Sequence, residues 1–333
     1  YSSLIESGIE INEPVSLHKK ALTLLLSPEN DKDESILKTN YKEARTLLQS
    51  SINLGFSLSY FTLSRLLHEY YHKDNEAFKL AREGTARKEK YSTALLGHYL
   101  SRGIGIRKYF DRGILIMLNS GAEDYYERFS TDIGIYYARK SNLENAEESD
   151  KENAFKWFER AYSLQKTKAS INNYGVCYML GFGTDKDMEK AEEIYKDGAY
   201  NCNDANSLYH LGSIYEEREE YEKSFPLFKE AAEKGITNAQ AHYAYLLTES
   251  GTQEGYNDCK KYFKAAADKG HVTSNASYAF IIEEDESDNS LGYYRRAADR
   301  GNADAQVFLA LKYSKENDPE NTFKYMKMCI QSG

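Results

Sequence analysis

A pattern of two adjacent helices returns along nearly the whole chain, and it restricts the fold more than any other feature. Its clearest copy lies at 290–313, with the sequence SLGYYRRAADRGNADAQVFLALKY. In the first helix, Tyr293 and Ala297 lie one turn apart, so a bulky and a small residue share one stripe. Gly301 ends that helix, because glycine tolerates the left-handed conformation found at helix ends. The second helix repeats the arrangement. One such pair cannot bury both of its apolar faces, so neighbouring pairs must stack on it.

The pattern recurs nine times, with a spacing that averages nearly 35 residues. One residue marks each copy. It lies early in the second helix of a repeat, which in the stretch 290–313 is the helix that carries Tyr293: Ala44, Ala77, Phe110, Ala154, Ala191, Ser224, Cys259, Ser290 and Thr322. Eleven residues after each marker a helix end is expected, and most of these positions hold glycine: Gly55, Lys88, Gly121, Gln165, Cys202, Gly235, Gly270, Gly301 and Gly333. The sequence therefore predicts an all-α fold, a right-handed α-solenoid of about nine antiparallel helix pairs that forms one elongated domain.

The boundaries of this array follow from breaks in the pattern. Residues 17–27 predict a helix that Pro28 ends, and the polar segment 29–38 predicts a loop. Residues 1–39 are thus expected to be an N-terminal helix and loop that pack on the first repeat, with the solenoid at 40–333. The single long interval between markers contains a charged loop insertion at 140–153. The acidic run at 283–288 is expected to be a solvated surface rather than a metal cage.

Charge and hydropathy exclude two broad classes of partner. The net charge is −9, with +3 in residues 1–110 and −12 in residues 111–333. The acidic part argues against nucleic acid and anionic membrane, which favour a basic stripe. No stretch reaches the roughly 20 apolar residues of a membrane helix, so direct membrane insertion is not expected. The chain begins at Tyr1 rather than Met, so a signal, an anchor or a further domain is compatible with it.

The four cysteines predict small, mostly buried thiols. They are Cys177, Cys202, Cys259 and Cys329, which show neither zinc spacing nor a CxxC pair. A reducing compartment such as the cytoplasm is favoured over the endoplasmic-reticulum lumen or secretion as a bacterial effector, and both alternatives stay open.

Two repeats carry a more explicit signature. Its spacing is small-x3-apolar-Gly-x2-apolar-x2-Gly-x-Gly, and its two copies are Ser92, Leu96, Gly97, Leu100, Gly103, Gly105 and Ser170, Tyr174, Gly175, Tyr178, Gly181, Gly183. Together with KEAAEKGITNAQ at 229–240 and RRAADRGNADAQ at 295–306, it resembles the Sel-one-like repeat, a relative of the tetratricopeptide repeat. The resemblance covers about 40–333. The Gly-x-Gly hairpin is lost in the last four pairs, and the paired cysteines of some secreted bacterial members are missing.

The resemblance implies a function of protein–protein interaction. Proteins similar to this chain are adaptors or scaffolds whose concave surface holds a peptide or a partner domain. We therefore expect a non-enzymatic protein with a protein or peptide partner and no cofactor. An architectural module that positions a further domain is the alternative, because the chain ends at Gly333 without an evident polar capping helix.

One motif favours an enzyme and has to be weighed separately. His68, Glu69 and His72 match HExxH, in which two imidazoles one turn apart bind zinc and a glutamate activates water. The motif lies at the end of a repeat helix and no third ligand follows it, so a zinc hydrolase is disfavoured and no metal site is expected. The glycine-rich segments lack the residues of a phosphate cradle, and no nucleophile with a supporting base is present.

Candidate binding residues follow from the expected stacking. If the pairs stack like tetratricopeptide units, the first helix of each pair lines the groove. Its groove-facing positions then lie three before, one after and four after a central small residue; the centres are Ser64, Gly97, Gly175, Gly212, Ala244 and Ala279. The resulting candidates on the concave face are Phe61, Arg65, His68, His98, Asn172, Tyr209, Ser213, Tyr245 and Phe280.

These candidates differ in chemistry along the chain. Arg65, His68 and His98 are expected to form a cationic end that suits a carboxylate or an acidic peptide. Tyr209, Tyr245 and Phe280 offer apolar and hydrogen-bonding area, as peptide-binding grooves commonly do. Scattered exposed aromatic residues are also common on surfaces without any function.

Overall fold

The chain folds into α-helices arranged in two compact units. The structure, a computed structural model, describes residues 13–122, 126–144, 146–147, 149–249, 253–284 and 290–332. These residues contain eighteen α-helices and no strand. Unit 1 is Tyr1–Lys186 and unit 2 is Asp187–Gly333.

Nine helices lie in the described part of unit 1: α1 (Glu13–Leu25), α2 (Glu34–Asn53), α3 (Leu58–Glu69), α4 (Asp74–Ala86), α5 (Lys90–Arg102), α6 (Phe110–Leu118), α7 (Glu127–Lys140), α8 (Ser149–Leu164) and α9 (Lys168–Leu180). A 3-10 turn at Pro28–Asp31 joins α1 to α2. Nine more lie in the described part of unit 2: α10 (Met188–Lys196), α11 (Ala205–Glu217), α12 (Tyr221–Glu233), α13 (Thr237–Glu249), α14 (Gln253–Asp268), α15 (Val272–Glu284), α16 (Ser290–Ala298), α17 (Ala303–Lys315) and α18 (Pro319–Ser332). A π-helical turn at Asp197–Asn201 extends α10.

Successive helices pack as pairs within each unit. In unit 1 the pairs are α1–α2, α3–α4, α5–α6 and α7–α8, followed by α9. In unit 2, α10 is followed by α11–α12, α13–α14, α15–α16 and α17–α18. We call the N-terminal member of each pair its first helix. The predicted solenoid of helix pairs is confirmed, and the boundary between the units falls between the two helices of the fifth predicted pair, α9 and α10.

Small residues lie where the two helices of a pair cross. All six predicted centres in the first helices are buried. In α5–α6 the crossing is so close that a Cβ on Gly97 would lie 2.6 Å from the carbonyl oxygen of Gly113 and 2.8 Å from Met117 Cγ. Since the two backbones are in contact there, no side chain fits between them.

The predicted helix ends are largely confirmed. Five of the glycines expected to end helices adopt positive φ: Gly55, Gly121, Gly235, Gly270 and Gly301. Lys88, at the same repeat position, also adopts a left-handed φ of 61°. The repeat geometry thus imposes this conformation even on a residue with a Cβ, for which it is unfavourable. Gly333 lies outside the described residues.

Two predicted loops are partly helical. The pattern predicts a loop at 29–38, but α2 begins at Glu34, because Asp33 accepts a hydrogen bond from the Ser35 amide at 2.7 Å and caps the helix. The predicted insertion at 140–153 forms a shorter connection, since α8 begins at Ser149. Of the acidic run at 283–288, residues 285–288 lie outside the described residues.

A buried histidine joins α1 to the second pair. His18 is 3% exposed, and its Nδ1 lies 2.8 Å from Ser59 Oγ. Ser59 donates to Ser51 Oγ at 2.8 Å, and Ser51 donates to the carbonyl oxygen of Pro14 at 2.6 Å. The Ser59 hydroxyl therefore accepts a hydrogen bond from Nδ1–H, which leaves His18 Nε2 buried without a hydrogen-bond partner. Burial lowers the pKa of His18 from 6.5 to about 4.

The close crossing of α5 and α6 gives a first prediction. Alanine at Gly113 would favour helix formation by about 1 kcal/mol without any clash. A Cβ there would contact the Gly97 carbonyl oxygen and lie 2.5 Å from the Ser101 amide nitrogen. We therefore expect Gly113→Ala to lower the free energy of unfolding by roughly 1–3 kcal/mol, as overpacking does. Urea denaturation measures it, with Arg112→Ala at the neighbouring exposed position as the control. An unchanged or more stable Gly113→Ala protein would contradict the close crossing.

The buried histidine gives a prediction about acid stability. His18 titrates near 6.5 in the unfolded chain and near 4 in the folded one, so the unfolded state binds more protons between these values. The stabilisation is complete above pH 6.5 and is lost as the pH falls towards 4, by at most about 3 kcal/mol. The difference in unfolding free energy between pH 7 and pH 4.5 should shrink in His18→Asn, which can still hydrogen-bond Ser59. Equal pH dependence in both proteins would rule this out.

Candidate partner-binding surfaces

Neighbouring first helices of unit 1 are joined by polar side chains. The Ser64 hydroxyl of α3 lies 3.3 Å from the Tyr99 hydroxyl of α5. His98 Nδ1 of α5 lies 2.7 Å from Asp132 Oδ2 of α7. Thr167, which caps α9, donates to the Glu127 carboxylate at the start of α7 at 3.1 Å. The first helices of unit 1 therefore form one continuous surface.

The first helices of unit 2 are joined in the same way. His242 Nε2 of α13 lies 2.9 Å from Glu216 Oε1 of α11, and the Tyr245 hydroxyl lies 3.0 Å from Ser277 Oγ of α15. We call the surface formed by these helices the first-helix face of each unit. Each face carries a cavity, and the two cavities differ in chemistry.

The unit-2 groove is a largely apolar cavity on the first-helix face of unit 2. Its volume is about 580 Å³, and residues from α13 to α17 line it: Tyr245, Thr248, Tyr256, Cys259, Phe263, Thr273, Ala276, Ser277, Phe280, Ile281, Tyr294, Asn302, Asp304 and Phe308. This volume lies in the range typical of sites that bind small molecules or side chains.

Two exposed aromatic residues stand at the rim of the unit-2 groove. Phe280 is 59% exposed and Tyr245 is 41% exposed. The Tyr245 ring is held in place by two contacts. Its hydroxyl hydrogen-bonds with Ser277, and the ring packs edge-to-face with Phe263, with 4.9 Å between the ring centroids. Two of the predicted binding residues are thus brought together on one cavity. Their rings are pre-positioned apolar area that a partner can cover.

The interior of the groove is aromatic and does not ionise near neutral pH. Tyr294 stacks on Phe308 with 3.8 Å between ring centroids and donates to Glu283 at 3.1 Å. Burial raises the pKa of both Tyr294 and the Cys259 thiol, so neither of these two groups is an activated nucleophile. Among the described residues that line it, Asp304 alone carries a charge.

The unit-1 cavity is polar and lies among four first helices. Its volume is about 440 Å³, and its lining combines residues of α3, α5, α7 and α9: His68, His98, Arg102, Ile104, Glu127, Arg128, Thr131, Thr167, Lys168 and Ala169. Three permanently charged cations therefore face one anionic side chain, Glu127.

A buried carboxylate organises the wall of the unit-1 cavity. Asp132 is fully buried and is bonded by His98, by Ser101 Oγ at 3.3 Å and by Arg102. Burial raises the pKa of Asp132, but the hydrogen bond and charge of His98 and the charge of Arg102 outweigh it and hold that pKa below its ordinary value. Because Nδ1 of His98 is bound to Asp132, Nε2 is the nitrogen available to a ligand.

The three predicted cationic residues do not form one cluster. Arg65 does not line the cavity: it forms an ion pair with Glu69 at 3.1 Å, and its guanidinium lies 4.2 Å from the centre of the Tyr126 ring. His68 and His98 do line it, each with Nδ1 2.7 Å from an aspartate. His98 is only 4% exposed.

The HExxH segment does not present its residues on one helical face. Helix α3 ends at Glu69, and His72 lies in the following turn with a φ of 51°. Burial raises the pKa of Glu69, but Arg65, Tyr126 and Arg128 offset this effect and keep it lowered. Among the described residues, no group of three or more His, Cys, Asp or Glu side chains is placed to hold a metal ion.

The other predicted residues lie away from both cavities. Phe61 is fully buried, and Asn172 is half-buried in α9. Tyr209 is half-buried against Phe228, and the Ser213 hydroxyl donates to the Tyr209 carbonyl at 3.1 Å within α11. Their role in binding stays a prediction.

The cations Arg102, Arg128 and Lys168 of the unit-1 cavity are absent from the predicted set, although a sequence signal exists for two of them. Gly134 is the small central residue of α7, and the position three before it, Thr131, lines the cavity. Arg128 lies six before Gly134 and Lys168 seven before Gly175, one turn further along the same helical stripe. If the groove-facing positions are continued by one turn towards the start of each first helix, they include both Arg128 and Lys168.

Comparisons with known proteins agree with this architecture. The fold defines the class, an α-solenoid of helical repeats. The Sel1 repeat model matches five segments, at 144–166, 168–200, 205–236, 237–271 and 283–302, so this region of the chain carries Sel1 repeats. No curated protein matches the chain in sequence.

Three solved structures share the fold. A protective antigen of uropathogenic Escherichia coli strains that displays an SLR fold has a TM-score of 0.63 and 18% identity, covering 100% of this chain and 71% of that one. A Sel1 repeat protein from Oxalobacter formigenes has a TM-score of 0.60 and 18% identity over 72% and 96% of the two chains. The apo form of RapI has a TM-score of 0.53 and 18% identity over 95% and 97%.

Proteins of this repeat class commonly mediate protein–protein interaction and are generally non-catalytic scaffolds. Within the described ranges, no helix combines the length and hydropathy needed to span a membrane.

The buried carboxylate gives a prediction about stability. Removal of Asp132 leaves His98 and Arg102 without their shared partner, so we expect Asp132→Ala to lower the free energy of unfolding by about 3 kcal/mol. Asp74→Ala is the matched control, because Asp74 accepts from His68 at the same 2.7 Å but its side chain is 47% exposed. That change should cost less than about 1 kcal/mol. Urea denaturation measures the free energy of unfolding of both variants. Equal losses of stability in the two would contradict the organising role of Asp132.

Proposed function

We propose that the protein is a non-enzymatic adaptor that holds a peptide segment of a partner protein in the unit-2 groove. The observation that carries this proposal is the pair of exposed rings, Tyr245 and Phe280, on an apolar cavity of about 580 Å³. The repeat fold supports it, because this class commonly mediates protein–protein interaction.

The lining of the groove specifies the chemistry of the segment. Its aromatic and aliphatic interior suits one large apolar side chain, which would be removed from water between Phe263, Ile281 and Phe308. Asp304 lies in the lining, and Glu283 accepts a hydrogen bond from Tyr294, which also lines the groove, so the local charge is negative. We therefore infer a segment with an aromatic or branched apolar anchor flanked by lysine or arginine.

The proposal is tested by selection from a random peptide library. Phage-displayed twelve-residue peptides are selected on the immobilised chain and counter-selected on the Phe280→Ser variant. The expected result is enrichment of an apolar anchor next to a basic residue. Enrichment of acidic or purely polar peptides, or of no common sequence, would contradict the proposal.

The groove residues then give a quantitative prediction. Burying a phenylalanine side chain contributes about 1.5–3 kcal/mol, so Phe280→Ser should weaken binding of a selected peptide by roughly tenfold or more. Fluorescence anisotropy with the labelled peptide measures this change. Phe323→Ser is the matched control, since Phe323 lies in the same unit, outside the groove, and is 71% exposed. If both variants lose affinity equally, the groove is not the binding site.

A further inference from the structure

We propose that the unit-1 cavity is a second binding site, which takes a carboxylate group of an acidic peptide segment. This inference rests on the proposed role of the protein as an adaptor, but it concerns a different unit, different residues and a ligand of opposite charge. Its residues are contributed by α3, α5, α7 and α9, so the site exists only when these repeats are stacked.

The cations of the cavity are the first part of the argument. Lys168 is exposed and makes no ion pair among the described residues. Arg128 is half-exposed, and its only ion pair within the described chain is a long one, 3.6 Å to Glu69. Arg102 reaches the cavity from the end of α5 while it neutralises Asp132. Two of the three positive charges are therefore available to an incoming anion.

The start of α9 supplies backbone donors in the same place. Thr167 caps the helix by accepting from the Ser170 amide at 3.1 Å, and its own hydroxyl is directed to Glu127. The amides of Lys168 and Ala169, the first two residues of α9, have no acceptor among the described residues, and both residues line the cavity. Free amides at the start of a helix of 13 residues favour an anion.

An acceptor in the cavity narrows the ligand from any anion to a peptide. Glu127 lines the cavity, and its Oε1 accepts hydrogen bonds from Thr131 and Thr167. A carboxylate has further lone pairs that can accept from a ligand. A fully ionised inorganic anion has no hydrogen to donate to it, whereas a peptide has N–H groups beside its carboxylate. Donors and acceptors thus match a carboxylate next to a peptide amide.

The test uses labelled peptides of defined charge. The first probe is fluorescein-Gly-Ser-Glu-Glu-Gly-Ser-amide, in which only side chains carry carboxylates. The second is fluorescein-Gly-Ser-Gly-Ser-Gly-Leu with a free C terminus, and its amidated form is the comparison. Fluorescence anisotropy with the whole chain at low salt shows whether the side chain or the chain terminus supplies the carboxylate. The Gln-Gln form of the first probe is the neutral reference.

Three variants connect binding to the cavity. Lys168→Glu reverses the charge that faces the cavity, and an acidic residue at the first position of a helix also favours helix formation, so the fold is retained. We expect Lys168→Glu and Arg128→Gln to weaken binding of the acidic probe by roughly tenfold and a few-fold. Lys156→Glu is the matched control: it makes the same charge change at an exposed position of α8 in the same unit.

Each outcome supports or overturns the site. Weakening by Lys168→Glu and Arg128→Gln but not by Lys156→Glu supports it. Equal weakening by both charge reversals shows attraction to net charge alone and overturns it, as do equal binding of the charged and neutral forms of both probes and the absence of binding to any acidic probe. The apolar, basic peptides of the unit-2 groove are measured separately, so the two proposals fail independently.

Discussion

The close crossing of two helices at small residues is the constraint on which this structure depends. In α5–α6 the backbones touch at Gly97 and Gly113, and elsewhere buried alanine, serine or glycine occupies the equivalent positions. When a pair is this thin, its large side chains must project above and below the crossing, where they pack on the neighbouring pairs. The apolar contacts that hold neighbouring repeats together therefore arise because the two helices within each repeat pack so closely.

The same constraint places the polar residues. A first helix that is pressed against its second helix on one side and against its neighbours above and below has one remaining stripe. That stripe carries hydroxyl, carboxylate and imidazole groups that bond across repeats, such as Tyr245 with Ser277 and His242 with Glu216. Between these bonded positions lie the two cavities. The candidate binding surfaces thus consist of first-helix side chains that do not pack against the second helix or the neighbouring repeats.

Much of the fold follows from the sequence, because it rests on a repeated local rule. The amino-acid sequence shows the small residues, the residues that end helices and a period near 35, and these three features together predict the helix pairs. Helix starts that depend on one capping side chain, such as Asp33 for α2, are less visible. The division into two units is not encoded in the repeat at all.

The candidate sites were predictable only in part, and the reason is physical. Tyr245 and Phe280 share a groove because both stand one position after a small centre, which the spacing shows. Whether a polar residue is free or already bonded depends on which other side chains the fold brings next to it. Arg65 faces Glu69 and the Tyr126 ring, so it is unavailable where the spacing places it. Arg128 and Lys168 have fewer acidic partners among the described residues. The sequence of one helix does not show this, because the partners come from other helices.

Two of the bonds between first helices share one register. His98, one position after its centre Gly97, bonds Asp132, two positions before the centre Gly134, and the pair is 34 residues apart. Tyr245 and Ser277 occupy the same two positions around Ala244 and Ala279, 32 residues apart. A change at one member alters what the other must be. Among diverging relatives, these positions should vary as couples, so that the specificity of such a surface evolves by exchange of matched pairs.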